Sequence, residues 1–109
     1  MSDFHNDRPI SELYRLAALE WVELDSAARM LEDTKSSVFA QYVNDYGDIP
    51  ISRAEAKVRA TDDWLRYVED TVNARTKANK AKVQCEYLRM KFSEEVSRDA
   101  NARVERKVG

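Results

Sequence analysis

The side chains best placed to do chemistry are six lysines and arginines within Ala74–Phe92. Basic side chains along a helix can neutralise the phosphates of a nucleic acid, and Tyr87 in the same segment could stack on a base. Alternatively, the basic side chains are solvated or salt-bridged, and their stems cover apolar surface beside a helix interface. Both interpretations concern the same residues, which are Arg75, Lys77, Lys80, Lys82, Arg89 and Lys91.

The residue types that commonly catalyse reactions lack the partners that they need. His5 is the only histidine, and no cysteine or second histidine lies at metal-ligand spacing from it. Cys85 lies on an apolar helical stripe, where we expect a small buried hydrophobe rather than a nucleophile beside a base. Paired carboxylates are interpreted as solvated helix faces, since no calcium-binding loop surrounds them. These pairs are Glu20/Glu23, Glu32/Asp33, Asp62/Asp63 and Glu94/Glu95. We therefore predict that the protein is not an enzyme and has no catalytic residue, metal or cofactor.

The first half of the chain predicts a long helix after a flexible tail at residues 1–8. Pro9 suits the first turn of a helix, and no glycine or further proline occurs before Gly47. Apolar residues recur at alternating steps of three and four, which indicates a helix over about 9–45. This stripe consists of Tyr14, Ala17, Trp21, Leu24, Ala28, Leu31, Lys35, Val38 and Tyr42.

A turn and a second helix follow. Gly47 suits the end of a helix, and Pro50 prevents the first helix from continuing directly. Ser52 and Glu55 match a capping box, in which each side chain bonds to the backbone N–H of the other. We predict an unbroken second helix over about 53–106. Its stripe consists of Trp64, Val68, Thr71, Ala74, Ala78, Ala81, Cys85, Leu88 and Phe92.

Two long amphipathic helices joined by a short turn predict an all-α fold, an antiparallel helical hairpin. We expect a single domain over 9–106, in which the C-terminal part of the second helix overhangs the first. Counting outward from the turn places Lys35 near Asp62 and Asp63, where a salt bridge is predicted. Hairpins of this kind are expected to assemble into a helical bundle.

Both helices also carry apolar residues on a second face. At about 100° per residue, Val83, Tyr87 and Met90 lie almost opposite Cys85. Exposed apolar surface on a small protein usually marks an interface, so we expect a homo-oligomer, with a dimer favoured, or a heterologous protein partner. The interface is predicted at Leu16, Leu19, Val22, Val83, Tyr87, Met90, Phe92 and Val96.

Several features predict a cytoplasmic protein. A single cysteine allows no internal disulfide, which fits a reducing compartment. The polar, acidic N-terminus predicts no signal peptide, and no apolar run approaches the ~18 residues of a membrane-spanning helix. We therefore expect a soluble protein without membrane contact.

Several segments resemble a group of small helical proteins encoded by tailed phages and prophages, whose genes often lie near those for phage recombination and single-strand annealing. The resemblance covers most of residues 12–105. It is carried by Glu20-Trp21, Leu31-Glu32, Asp62-Asp63-Trp64-Leu65, Asn73-Ala74-Arg75 and the segments Ala78–Val83 and Arg98–Glu105. It implies a phage origin, a location in the cytoplasm of the host bacterium and a non-enzymatic accessory role, and it assigns no site residues.

Functions of different classes follow from these patterns. The first is a coiled-coil interaction protein that oligomerises and docks on a phage or host protein, in the recombination apparatus. The second is a recombination accessory that binds single-stranded DNA through the basic residues of 75–91. A third is an inhibitor of a host defence protein, in which the acidic first helix mimics DNA. The acidic residues of the first helix could also pair with the basic residues of the second.

Overall fold

The computed structural model of the protein describes residues 8–108, which form three helices and no strand. Helix α1 spans Ile10–Asn44, α2 spans Ile51–Arg59 and α3 spans Asp62–Val108. The predicted all-α fold with two long helices in a hairpin is thereby confirmed. Residues 1–7 of the predicted tail, including His5, lie outside the described residues. Within residues 8–108, no helix has an apolar stretch long enough to cross a membrane.

Helix α1 is organised by its apolar stripe. Ala28 is fully buried, the other apolar members of the stripe are half-buried, and Lys35 is exposed. The helix ends where Gly47 adopts a φ of 69°, the left-handed conformation that glycine adopts without steric penalty. The Gly47 N–H donates a 3.1 Å hydrogen bond to the carbonyl of Asn44. The turn predicted at Gly47 and Pro50 is therefore present.

Helix α2 begins differently from the prediction. The capping box of Ser52 and Glu55 does not form, because the helix already begins at Ile51 with Pro50 at the N-cap position. The fixed φ of proline suits this entry, and the Pro50 carbonyl accepts the backbone N–H groups of Arg53 and Ala54 at 3.0 Å. Glu55 is paired with Arg59 of the same helix instead, at 3.4 Å.

The predicted second helix contains a break at Ala60 and Thr61. The Thr61 hydroxyl donates to the carbonyl of Val58 at 2.7 Å and accepts the backbone N–H of Trp64 at 3.3 Å. The second bond is the contact of an N-cap side chain with the third residue of its helix. Asp62 and Asp63 then place negative charge in the first turn, which the helix dipole favours. Thr61 therefore ends α2 and starts α3.

The contacts of the chain divide it into two compact units, with boundaries at Glu23/Leu24 in α1 and at Ala78/Asn79 in α3. We call Leu24–Ala78 the turn unit, because it contains α2 and the turn. The terminal unit consists of the described residues up to Glu23 and from Asn79 onward.

The core of the turn unit is aromatic, and it lies between the antiparallel helices α1 and α3. The Trp64 ring lies 4.9 Å from that of Phe39 and 5.6 Å from that of Tyr67, centroid to centroid. The Tyr67 hydroxyl donates a 2.7 Å hydrogen bond to the backbone carbonyl of Leu31. Val58 of α2 is completely buried in the same unit. Successive residues along α3 therefore contact residues that lie progressively nearer the N-terminus of α1, so the two helices are antiparallel.

The register of the turn unit corrects the predicted Lys35 salt bridge. Among the ion pairs of the described residues, none joins Lys35 to Asp62 or Asp63. Asp63 instead lines a cleft together with Asp45, beside the turn. The prediction counted outward from the turn along one continuous helix, and the break at Thr61 changes that count.

In the terminal unit, α3 packs with one face against α1. Cys85 and Leu88 are buried, and Phe92 is half-buried. The Lys82 ammonium lies 5.8 Å from the centre of the Trp21 ring, which joins the two helices by a cation–π contact. Beyond Phe92, the described part of α3 is almost wholly exposed.

Candidate interaction surface

The outer face of α3 in the terminal unit consists of Val83, Tyr87 and Met90. Cys85 is 5% exposed, whereas Tyr87, two residues later, is 48% exposed and Val83 is 66% exposed. Met90 is also exposed, although its neighbour in the buried stripe, Leu88, is not. At about 100° per residue, these three side chains project away from the face that packs on α1. The result is an apolar surface on the outside of a two-helix layer.

Helix α1 carries a second exposed apolar surface, which we call the α1 flank. It consists of Leu19 and Val22, both exposed, and Leu16 is half-buried beside it. Trp21 marks the side of α1 that contacts α3, since it lies under the Lys82 ammonium. Leu19, two residues from Trp21, therefore projects to the opposite side of the helix. The outer face of α3 and the α1 flank point away from each other within the terminal unit.

The two remaining predicted interface residues lie where α3 leaves α1. Phe92 is half-buried at the end of the packed stripe, and Val96 is exposed one turn later. Val104 is also exposed further along. The surface predicted from the sequence thus consists mainly of exposed side chains, divided over two helices and the end of α3.

Arg75 is bound by acidic residues of the same chain. Its guanidinium donates to Asp25 at 2.7 Å and to both carboxylate oxygens of Glu32, at 2.7 and 2.8 Å. Asp25 also pairs with Arg29, one turn along α1, at 2.8 Å. The hydrogen bonds from Arg75 lower the pKa of both carboxyl groups, and the two carboxylates raise the pKa of Arg75. The pairing of acidic α1 residues with a basic residue of α3 is therefore present within one chain.

This cluster predicts an acid-dependent loss of stability. The pKa values of Asp25 and Glu32 are lowered in the folded state, so their contribution is present above the ordinary carboxyl range, about pH 4, and is lost as pH falls. We expect Arg75→Gln to make the urea midpoint fall less between pH 7 and about pH 3 than it does in the wild type. Urea titrations followed by circular dichroism would measure both midpoints.

The control for this experiment is Arg89→Gln. Arg89 is exposed and forms no ion pair with any residue that the structure describes, so its loss should leave the pH dependence unchanged. Equal pH dependence in the wild type and Arg75→Gln would show that the cluster contributes nothing to folding.

The other basic candidates differ in how far they are engaged. Lys82 lies over Trp21, and Lys91 lies 3.8 Å from the Glu94 carboxylate and 5.8 Å from the centre of the Tyr87 ring. Three others are exposed and form no ion pair within the part of the chain that the structure covers. These are Lys77, Lys80 and Arg89. The six basic residues therefore do not form one continuous free surface for phosphates.

Two open clefts flank the aromatic core of the turn unit. One of about 280 Å³ is lined by Tyr42, Asp45, Tyr46, Val58, Thr61 and Asp63. The other, of about 420 Å³, is lined by Lys35, Ser36, Phe39, Arg59 and Trp64. Between residues 8 and 108 there is no cluster of three or more histidine, cysteine, aspartate or glutamate side chains suited to a metal ion.

The sequence did not reveal the roles of three sets of residues in the structure. The sequence interpretation did not assign Asp25 and Glu32 as the partners of Arg75, although they are one heptad apart and so share a face of α1. It did not recognise Thr61 as a helix cap, although two aspartates follow it. It also treated Glu94 only as part of a solvated pair, although the Lys91 ammonium lies 3.8 Å from its carboxylate.

Comparison with protein families, with curated proteins and with solved structures finds no match for this chain.

Proposed function

We propose that this protein is a non-enzymatic helical interaction protein, which associates with itself through α3 and docks on another protein through α1. The observation that carries the proposal is the exposed outer face of α3, formed by Val83, Tyr87 and Met90. Helix α1 already covers the opposite face of α3 in the terminal unit, and this outer face stays exposed among residues 8–108, so a second chain is the proposed cover. Aromatic and methionine side chains are enriched in the cores of protein interfaces.

The α1 flank supports the second part of the proposal. Leu19 and Val22 are exposed on the far side of the same two-helix layer, and Glu20 and Glu23 are exposed beside them. A protein with an apolar contact surface and a basic rim would complement this pattern. Two separate apolar surfaces suit an adaptor, which joins a copy of itself to a different protein.

The biological setting that we propose follows from the resemblance to small helical proteins of tailed phages. An adaptor without catalytic groups fits an accessory role, and the recombination apparatus in the cytoplasm of the host bacterium is the proposed location. The partner on the α1 flank is then a phage or host protein.

Wild-type protein is expected to associate reversibly. Sedimentation velocity over a micromolar concentration series should show a mean mass that rises toward that of a dimer, since a modest apolar interface gives micromolar affinity. Leu19→Asp should leave this rise unchanged, because the α1 flank points away from the outer face of α3. A chain that stays monomeric throughout the series would overturn the proposed self-association.

The same experiment addresses the nucleic-acid alternative, which rests on the exposed Lys77, Lys80 and Arg89. We expect a labelled single-stranded oligonucleotide to sediment alone, even at low salt. Binding that weakens steeply as salt rises would instead favour the alternative, since phosphate contacts release counterions.

A further inference from the structure

Two opposite charges on the outer face of α3, those of Lys80 and Glu94, lie at equal distances along the helix from Tyr87. Lys80 precedes Tyr87 by one heptad and Glu94 follows it by one heptad, so the three share a face of the helix. Val83 and Met90 lie between them, one on each side of Tyr87. Lys80 and Glu94 are both exposed. The face therefore reads basic, apolar, aromatic, apolar and acidic along the chain, with the Lys91 ammonium beside the Tyr87 ring at 5.8 Å from its centre.

A face with this order of side chains is complementary to a second copy of itself that runs in the opposite direction. When two copies meet with their α3 helices antiparallel and their Tyr87 residues at the centre, Lys80 of each lies opposite Glu94 of the other. Val83 of each then lies opposite Met90 of the other. A two-fold symmetric interface requires a self-complementary surface of this kind.

We propose that a second copy of the chain covers the outer face of α3 in antiparallel orientation, with two Lys80–Glu94 ion pairs flanking a Val83–Tyr87–Met90 core. This inference rests on the proposed self-association and specifies its geometry. The dimer is isologous, and it places α3 between α1 of its own chain and α3 of the other.

A parallel dimer and the existing ion pair of Glu94 are both less favourable than the antiparallel dimer. Parallel helices would place Lys80 opposite Lys80 and Glu94 opposite Glu94, and like charges across an interface are repulsive. The ion pair that Glu94 now makes with Lys91 is weak competition, because it is 3.8 Å long and both side chains are about half exposed. Glu94 is therefore free to exchange this partner for Lys80 of a second copy.

A charge exchange tests the geometry. Lys80→Glu should weaken the dimer about tenfold, because two attractive pairs become repulsive, and Glu94→Lys should do the same. An equimolar mixture of the two variants should dimerise as tightly as the wild type, since each variant supplies the charge that the other needs. The double variant in one chain should also recover dimerisation. Sedimentation equilibrium at low salt would give the dissociation constants of the wild type, the two single variants, their mixture and the double variant.

The matched control is Arg89→Glu, which makes the same change of charge on α3 but beside the buried stripe rather than on the outer face. It should change the dissociation constant by less than about twofold. Circular dichroism of each variant would verify that the helices are intact.

The outcomes separate the two proposals. A monomeric wild type overturns both the self-association and its geometry. A wild-type dimer that Lys80→Glu weakens no more than Arg89→Glu overturns the antiparallel pairing alone. A parallel dimer would be insensitive to Lys80→Glu, because the like-charged pair would merely change sign.

Discussion

Replacing Trp64 with alanine is expected to destabilise the protein by ~3–5 kcal/mol, the range measured for the loss of large buried aromatic side chains. Trp64 is only 8% exposed and contacts aromatic residues from both long helices. Its ring lies 4.9 Å from Phe39, 5.6 Å from Tyr67 and 6.5 Å from Tyr42, centroid to centroid. Its removal would leave a cavity among side chains that the long helices hold in place. Urea unfolding followed by circular dichroism at constant protein concentration would measure the change.

The control for Trp64 is its neighbour in sequence. Leu65 is 54% exposed, so Leu65→Ala should change the free energy of unfolding by less than ~1 kcal/mol. A similar loss at both positions would mean that the aromatic cluster is not the core of the turn unit.

Replacing Tyr87 with aspartate is expected to weaken self-association by at least about thirtyfold, equivalent to ~2 kcal/mol. Tyr87 lies at the centre of the proposed interface, where truncation of an aromatic side chain has the largest effect. The substitution also places two like charges against each other at the centre of a symmetric contact. Sedimentation equilibrium of the wild type and the variant would give the ratio of dissociation constants.

Met30→Asp provides the comparison for Tyr87→Asp. Met30 is as exposed and apolar as the residues of the outer face, but it belongs to α1 in the turn unit. Its replacement should leave the dissociation constant unchanged. If both variants weaken the dimer equally, the added charge is responsible and the outer face of α3 is not the contact surface. Unchanged association of Tyr87→Asp would contradict the proposed function directly.

The hairpin was predictable because its apolar periodicity is regular over many turns. Trp64, Thr71, Ala78 and Cys85 recur at intervals of one heptad, and all four are buried. No other pattern in the chain competes with this one, since Gly47 and Pro50 are the only glycine and proline between Pro9 and Gly109. The same periodicity identified the exposed outer face, because it assigns an angle to each residue.

The break between α2 and α3 was harder to foresee. Alanine and threonine are both compatible with the interior of a helix, and the capping hydrogen bond of Thr61 competes with helix continuation by a small free-energy difference. The ion pairs of Arg75 were also hard to foresee, because the register between α1 and α3 determines which carboxylates come within reach. The angular position of Arg75 on α3 places it beside the apolar stripe. It does not specify which residues of α1 lie opposite.

The Thr61 cap also affects how the hairpin tolerates a change of length in the segment that connects α1 to α2. Helix α3 carries its own start signal, so the position of its first turn does not depend on how many residues connect α1 to α2. Gly47 lies at the surface, and a Cβ atom at that position would meet no heavy atom within 4 Å. We therefore expect an insertion of one residue near Gly47 to leave Trp64, Tyr67 and Arg75 with their partners on α1. A hairpin built in this way separates changes in its loop from changes in its core.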